Sequence, residues 1–295
     1  VNVFLKNGAF FKSETDLAVR GRMMGISWSR FYRSDLGYNG PLGYGWVGHY
    51  YQRAVFDSGS SDIHWYTPDG RKEVFPDVTG GFSSPVGVYV TATRETTHNT
   101  ITLTDRHGYR CVFDKDGRLW RCIDRNGNKT ECAYNFAGQL TTITNDLGET
   151  FTVAYHAHGR VDTVSDNMWN DGSSGHTSAR QVEYEYSTAG DLTEQKAPTT
   201  ARYDGTPLAR ITYGYAYDAT HRLIRFINPR EFAQGGNPVP YLENTYDDSG
   251  RITDQKLGDE ADVVDGHVTK SAFIRLRYES GTLIRELDRN NLRTD

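Results

Sequence analysis

Two cysteines occupy matching positions, and thiols support the most varied chemistry of any side chain here. Cys111 and Cys132 each lie two residues before an aromatic residue, Phe113 and Tyr134 respectively. Equivalent positions in two copies of one structural unit would bring the thiols close together on neighbouring copies. We favour a buried thiol pair. The alternatives are a disulfide or a metal site completed by a histidine such as His107.

Oxygen-bearing side chains recur at alternate positions in two segments. These are Asp114-x-Asp116-Gly117 and Asp124-x-Asn126-x-Asn128. Alternating oxygen ligands are typical of calcium loops, but the glycine is misplaced for an EF-hand and no glutamate stands at the twelfth position. We therefore interpret both segments as turns, in which Asp and Asn bond to nearby backbone.

Histidines offer no catalytic arrangement. His156 and His158 flank a turn and His49 follows a Gly-Trp pair, yet none has a nucleophile or carboxylate at an interpretable spacing. We predict that the chain is not an enzyme and that it holds no cofactor and no metal.

Charge and hydropathy exclude two classes of partner. The net charge of -5 and pI near 6.0 predict no nucleic-acid partner. No apolar run approaches the roughly 20 residues that span a bilayer, and no export signal leads the chain. We expect a piece of a longer protein whose repeats continue beyond the last residue.

An aromatic residue followed four positions later by glycine recurs from residue 105 onward. The pairs are Phe113 and Gly117, Tyr134 and Gly138, Tyr155 and Gly159, Tyr186 and Gly190, and Tyr246 and Gly250. Two copies are imperfect: Tyr217 precedes His221, and Tyr278 precedes Gly281 one residue early. An apolar residue follows two positions after each turn position: Leu119, Leu140, Val161, Leu192, Leu223, Ile252 and Leu283. Seven copies predict a repeat architecture.

Each copy is predicted to be a β-hairpin, since Asp initiates turns and glycine adopts positive φ without strain. Apolar residues alternate on the entering strands, in the sets Phe151, Val153, Tyr155; Val182, Tyr184, Tyr186; Ile211, Tyr213, Tyr215, Tyr217; and Ile274, Leu276, Tyr278. This period of two indicates one buried face. We favour core packing of the tyrosines over a sugar-stacking surface. On the returning strands the alternation fails, because Leu283 and Ile284 have opposite parity, so their register stays open.

The repeat spacing defines two regions. Turn positions advance by 21 residues twice and then by 29 to 31, which places insertions at 167–180, 197–209, 229–240 and 258–271. We expect these insertions to be loops or small extra hairpins. The predicted domains are an N-terminal β-rich segment, 1–104, and a strip of repeated hairpins, 105–295.

The spacing of tyrosine, glycine and apolar residue resembles the tyrosine–aspartate (YD) repeat of the rearrangement-hotspot (Rhs) family. The preceding region adds a Gly-Pro-Leu-Gly-x-Gly-Trp run that is similar to the leader before the repeats in bacterial members. It consists of Gly40, Pro41, Leu42, Gly43, Gly45 and Trp46. The resemblance implies an all-β fold, a continuous antiparallel sheet of hairpins coiling into part of a hollow shell.

The resemblance also implies a structural function. Shells of this family enclose and deliver a C-terminal toxin or effector domain, so cargo and secretion machinery are the implied partners. A secreted or cell-surface bacterial location follows. The alternative is an adhesion module that binds a glycan or receptor through the inserted loops and exposed aromatic residues such as Trp169.

Overall fold

The protein is nearly all β in the computed structural model, with 54% strand and 3% helix. The structure describes residues 2–4, 6–20, 23–167, 180–199, 208–233 and 240–257, together with strands between residues 262 and 294. Among these described residues, no helix is long and apolar enough to cross a bilayer. The prediction of an all-β fold is confirmed.

Short strands form small sheets before the repeats. In chain order they are β1 (Phe11–Val19), β2 (Ile26–Arg33), β3 (Asn39–Gly40), β4 (Gly43–Tyr44), β5 (Trp46–Gly48), β6 (Arg53–Phe56), β7 (Ile63–Tyr66), β8 (Lys72–Phe75), β9 (Asp77–Val78) and β10 (Gly81–Phe82). A 3-10 turn, His49–Tyr51, follows β5. The sheets are β1-β2-β5, β3-β4, β6-β7-β8 and β9-β10.

One long antiparallel sheet that does not close contains the repeats. Its first strands are β11 (Val90–Glu95), β12 (Thr100–Asp105), β13 (Arg110–Phe113), β14 (Leu119–Ile123), β15 (Lys129–Tyr134), β16 (Leu140–Asn145), β17 (Thr150–Tyr155), β18 (Val161–Asp166) and β19 (Gln181–Tyr186). Then follow β20 (Leu192–Lys196), β21 (Thr212–Tyr217), β22 (Leu223–Ile227), β23 (Leu242–Tyr246), β24 (Ile252–Leu257), and, after an inserted pair, β27 (Ala272–Glu279), β28 (Thr282–Leu287) and β29 (Arg293–Thr294). Strand order in this sheet follows chain order.

The chain divides into two compact units. The early-repeat unit comprises Glu14–Phe31 and Val47–Val182, and the late-repeat unit comprises Val1–Ser13, Tyr32–Trp46 and Glu183–Asp295. The boundary predicted after residue 104 falls inside β12 and stays a prediction. The long sheet itself begins one hairpin earlier than the repeats were predicted to begin, at β11.

All seven predicted hairpins form, and each contains a β-bulge. In the first, Phe113 pairs with Leu119 but Val112 pairs with Arg121, so Trp120 is an extra residue. The same shift follows the apolar position in the other six hairpins. An extra residue resets the two-residue alternation. Buried residues on returning strands are consequently three apart, as with Leu140 and Ile143, which explains why the parity of these strands was unreadable.

Burial confirms most of the predicted core. The apolar residues two positions after the turns are fully buried in six hairpins: Leu119, Leu140, Val161, Leu192, Leu223 and Ile252. Phe151, Val153, Val182, Tyr184 and Leu276 are also buried on the entering strands. The assignment of Ile211 to the buried face is wrong, since its side chain is 44% exposed. It precedes β21, outside the alternating strand, and Thr212 is buried instead.

The insertions differ from one another. Within 258–271, β25 (Asp262–Val264) pairs with β26 (His267–Thr269), so a small extra hairpin is present as predicted. Within 229–240, Pro229–Phe232 forms a short helix, α1, where a loop or hairpin was expected. Asn228 caps it by accepting hydrogen bonds from the backbone N–H groups of Arg230 and Glu231. Most of 167–180 and 197–209, including Trp169, lies outside the described residues.

Candidate functional site

In four of the repeat turns the side chain of the first residue closes the turn. Asp114 Oδ1 accepts hydrogen bonds from the backbone N–H groups of Asp116 and Arg118, both at 2.9 Å. Asn135, Asp218 and Asp247 make the same pair of bonds in later hairpins. The turn position has φ of 75° at Gly117 and 64° at His221. A positive φ is why glycine recurs there, and His221 adopts it at a cost in strain.

Among the described residues, three turns continue into a larger arrangement that we term the repeat clamp. In each, the first residue of the turn pairs with an arginine four residues later, and that arginine stacks on the tyrosine of the next hairpin. The three clamps are Asp114, Arg118, Tyr134; Asp218, Arg222, Tyr246; and Asp247, Arg251, Tyr278. The guanidinium carbon lies 4.3 to 4.8 Å from the ring centroid. A clamp therefore joins two consecutive repeats through charge pairing and cation–π contact.

The tyrosine hydroxyl adds a second link between the same repeats. Tyr134 donates to the carbonyl oxygen of Leu119, and Tyr155 donates to that of Leu140, each at 2.8 Å. In the late-repeat unit, Tyr246 donates to Leu223 and Tyr278 to Ile252, each at 2.9 Å. The acceptor is always the apolar position of the preceding hairpin. These tyrosines are half-buried, so one side chain combines apolar packing with a fixed polar bond.

Burial keeps these hydroxyls protonated. It raises the pKa of Tyr155 to about 12 and raises the pKa of Tyr134 and of Tyr246 above the ordinary value. A protonated hydroxyl remains a hydrogen-bond donor throughout the physiological range.

The leader run contacts repeat tyrosines within the late-repeat unit. Pro41 and Leu42 form a tight connection between β3 and β4, and the carbonyl oxygen of Pro41 accepts a hydrogen bond from Tyr186 at 3.4 Å. Trp46 is fully buried and donates from Nε1 to the hydroxyl of Tyr217 at 2.8 Å. A side chain at Gly43 would meet the carbonyl oxygen of Gly190 at 3.0 Å, so this approach needs glycine.

His221 extends the contact between the leader run and the repeats. Its ring stacks on Tyr44 with centroids 3.6 Å apart, and its Nδ1 lies 2.8 Å from Asp191 Oδ1. Tyr32 donates to the carbonyl oxygen of His221 and accepts from the backbone N–H of Leu223. Of the two imperfect copies of the repeat, the one with His221 at its turn therefore contacts Tyr44 and Tyr32 through that turn residue.

The cysteines are buried, as predicted, but they pair differently. Cys111 and Cys122 are directly opposite on β13 and β14 with sulfur atoms 3.6 Å apart, whereas Cys132 lies opposite Ile143. The predicted contact between Cys111 and Cys132 is wrong, because strand β14 lies between the strands that carry these two residues. Cys122 is the residue that faces Cys111. Within the described residues, His49 is hydrogen-bonded to the thiol of Cys122. His107 instead receives a hydrogen bond from Arg106 within its turn.

The predicted turn interpretation holds for the two oxygen-rich segments. Asp114 is engaged by its own turn and by Arg118, and Asp124 accepts from the backbone of Asn126 and Asn128. Among the described residues, no three His, Cys, Asp or Glu side chains are grouped to hold a metal ion. His156 stacks on His158, and its Nε2 lies 3.5 Å from Oδ1 of Asp162. Gly281 lies outside the described residues.

The arginines of the clamps were missed from the sequence. A basic residue directly after the turn position could have revealed them in the sequence. It occurs at Arg118, Arg160, Arg222 and Arg251. The three clamps hold consecutive hairpins together, and the charged groups of each clamp pair with one another. The fold and the clamps define a repeat protein of β-hairpins.

Residues 2–75 match a domain family of unknown function, DUF6531. No curated protein matches the chain. The solved structures that resemble it include the complex TcdB2-TccC3-Cdc42, at 14% identity and a TM-score of 0.38, covering 79% of this chain and 13% of that chain. TcdB2-TccC3 without its hypervariable C-terminal region is 12% identical with a TM-score of 0.31, and the match covers 97% of this chain and 21% of that chain.

A third similar structure is the Photorhabdus luminescens Tc holotoxin pore, at 14% identity and a TM-score of 0.30, covering 95% of this chain and 19% of that chain. This chain thus spans about a fifth or less of the length of the chains it resembles.

Proposed function

We propose that this chain is the N-terminal part of a YD-repeat shell of the Rhs class, a structural scaffold that encloses a C-terminal toxin or effector domain and delivers it. The observation that carries the proposal is the recurrent repeat clamp. A wall that shields cargo requires long runs of hairpins held at a fixed spacing, and clamps supply joints between consecutive hairpins.

The chemistry of the clamps fits a wall better than it fits a catalyst. Asp218 and Arg222 neutralise each other, and Tyr246 is held protonated by burial. Groups committed in this way are poor acids, bases or nucleophiles. The proposal therefore assigns no reaction to this chain, and any activity belongs to the cargo.

The leader run has a defined role in the proposed shell. Trp46 and Pro41 bond to the tyrosines of two consecutive hairpins, Tyr217 and Tyr186, in the late-repeat unit. We infer that the leader buttresses the wall at these hairpins. The proposal implies a bacterial protein that acts outside the cell and uses secretion machinery.

Protease protection tests the enclosure. The complete gene product is digested alongside its isolated C-terminal domain, and cleavage of that domain is followed by mass spectrometry. We expect cleavage to be at least tenfold slower in the complete protein, and the double variant Tyr134→Phe, Tyr246→Phe to restore part of the lost rate. Equal rates in the complete protein and the isolated domain would overturn the proposal.

Exposed aromatic side chains favour a second candidate, binding of a glycan or receptor. Phe136 projects fully from a turn tip, and Tyr89 is 71% exposed. Flat exposed rings are suited to stacking on sugars. Retention on a glycan array that is lost in Phe136→Ala but kept in Lys115→Gln would support this candidate, and an array without retention would remove it.

A further inference from the structure

The thiols of Cys111 and Cys122 face each other across two hydrogen-bonded strands. Their backbones are register partners in the first repeat hairpin, and their sulfur atoms are 3.6 Å apart. Directly opposed residues on antiparallel strands have Cα atoms about 4.5 to 5.5 Å apart. Disulfides are accommodated at Cα separations of about 4.4 to 6.8 Å. Side-chain rotation alone can therefore bring the two sulfurs to bonding distance.

The surroundings of the pair make the two thiols unequal. The hydrogen bond from Cys111, together with His49, lowers the pKa of Cys122 below its ordinary value against the opposing effect of burial. The same hydrogen bond and burial raise the pKa of Cys111. Tyr109, Tyr50 and Cys132 are the other titratable groups around the pair. These shifts require the folded surroundings, so they describe the reduced pair in the finished fold and not the order of attack during folding.

We propose that Cys111 and Cys122 are a redox-active pair that forms a cross-strand disulfide when a disulfide oxidant reaches them during folding. The thiolate of one cysteine attacks one sulfur of the oxidant, giving a mixed disulfide and releasing the first thiolate of the oxidant. The other cysteine, losing its proton, then attacks the sulfur of the first cysteine and releases the second thiolate of the oxidant. Two electrons pass from the cysteines to the oxidant, and one disulfide is exchanged for another.

The timing of oxidation follows from burial. Cys122 is 1% exposed and Cys111 is 8% exposed, so the folded protein shields both sulfurs from an oxidant. Gln52, itself buried, donates to Cys111 and is held in turn by Trp65, which covers the pair further. The hairpin must accordingly meet the oxidant before this cover is in place. The disulfide would covalently link the two strands of the hairpin that carries Asp114 and Gly117.

Refolding in a glutathione redox buffer tests the proposal on the whole chain. The reduced, unfolded chain is diluted into mixtures of oxidised and reduced glutathione, the remaining thiols are alkylated, and tryptic peptides are mapped without reduction. Trypsin separates the cysteines into peptides 111–115, 122–125 and 130–160. We expect a linked species of the first two peptides, two hydrogens lighter than their sum, and alkylated Cys132.

Variants define the outcome further. Cys132→Ser is the matched control and is expected to retain the linked species, whereas Cys111→Ser is expected to abolish it. Alkylation of all three cysteines in wild type at the most oxidising mixture would overturn the proposal. So would a disulfide that contains Cys132. Because the wild-type map alone decides, a variant that fails to fold leaves the test intact.

Discussion

The hydroxyl of Tyr246 lies 2.9 Å from the carbonyl oxygen of Leu223 in the preceding hairpin and donates a hydrogen bond to it. Leu223 is the fully buried residue two positions after the turn, so a recurring residue of one repeat is fixed to a recurring residue of the one before. Asn244 donates to the same oxygen at 3.0 Å. Tyr134 makes the equivalent bond to Leu119. Consecutive hairpins are therefore joined by side chains as well as by the backbone ladder.

Tyr134→Phe is expected to lower the free energy of unfolding by about 1–2 kcal/mol, because a half-buried hydrogen bond is lost while the ring stays. Tyr246→Phe is expected to cost less, since Asn244 still donates to the carbonyl oxygen of Leu223. Urea unfolding of each variant measures both effects. Tyr89→Phe, at an exposed position, is the control and should leave stability unchanged. Equal costs at all three positions would contradict the role of the hydroxyl.

Arg222→Lys is expected to lower the free energy of unfolding by about 0.5–1 kcal/mol. Lysine keeps the charge but loses the planar group that pairs with Asp218 and stacks on Tyr246. The measurement is chemical unfolding of the variant beside Lys115→Gln, which removes an exposed ion pair to Asp116. A loss no greater than that of the control would show that the clamp adds nothing beyond surface charge.

Stability is expected to fall as the pH drops below 4. Burial acts to raise the pKa of Asp218 and of Asp247, but hydrogen bonds from Arg222 and from Arg251 outweigh it and hold each pKa below the ordinary value. A depressed folded-state pKa stabilises the fold above the unfolded-state pKa, about 3.9, and this stabilisation is lost as pH falls through the lower folded value.

The check is thermal unfolding between pH 5 and pH 2.5, in wild type and in Asp218→Asn. The variant is expected to be less stable than wild type at pH 5 and to show a shallower decline toward pH 2.5. Parallel curves for the two proteins would exclude Asp218 as a source of the acid sensitivity.

Gly117→Ala is expected to be more destabilising than Gly138→Ala. Both glycines have positive φ, which costs an L-residue about 1–2 kcal/mol. At Gly117 an added Cβ would also lie 2.4 Å from Val55 Cγ1 and 2.8 Å from the carbonyl oxygen of Ala54, whereas at Gly138 the nearest atom, in Arg118, is 3.5 Å away. Thermal unfolding of the two variants gives the comparison. Equal losses would mean that β6 yields to the new methyl group.

The hairpins were predictable because their determinants are local. Turn residues such as Asp114 and Gly117 set the backbone over four positions, and alternation on strands such as β17 marks the buried face. The bulge was not predictable, because an extra residue at Trp120 is defined only by the pairing of both strands. Because the extra residue shifts the strand register, the three-residue spacing of buried positions on the returning strands could not be recognised from the sequence.

The sequence by itself determined the repeat, its turns and the buried apolar residue that follows each turn, all of which depend on residues close together in the chain. Only the tertiary structure decided which distant residues meet. Trp46 bonds to Tyr217, and Cys122 rather than Cys132 faces Cys111. Such contacts depend on strand register and on the path of the leader run. The separation of two residues along the chain does not reveal whether they are close in space.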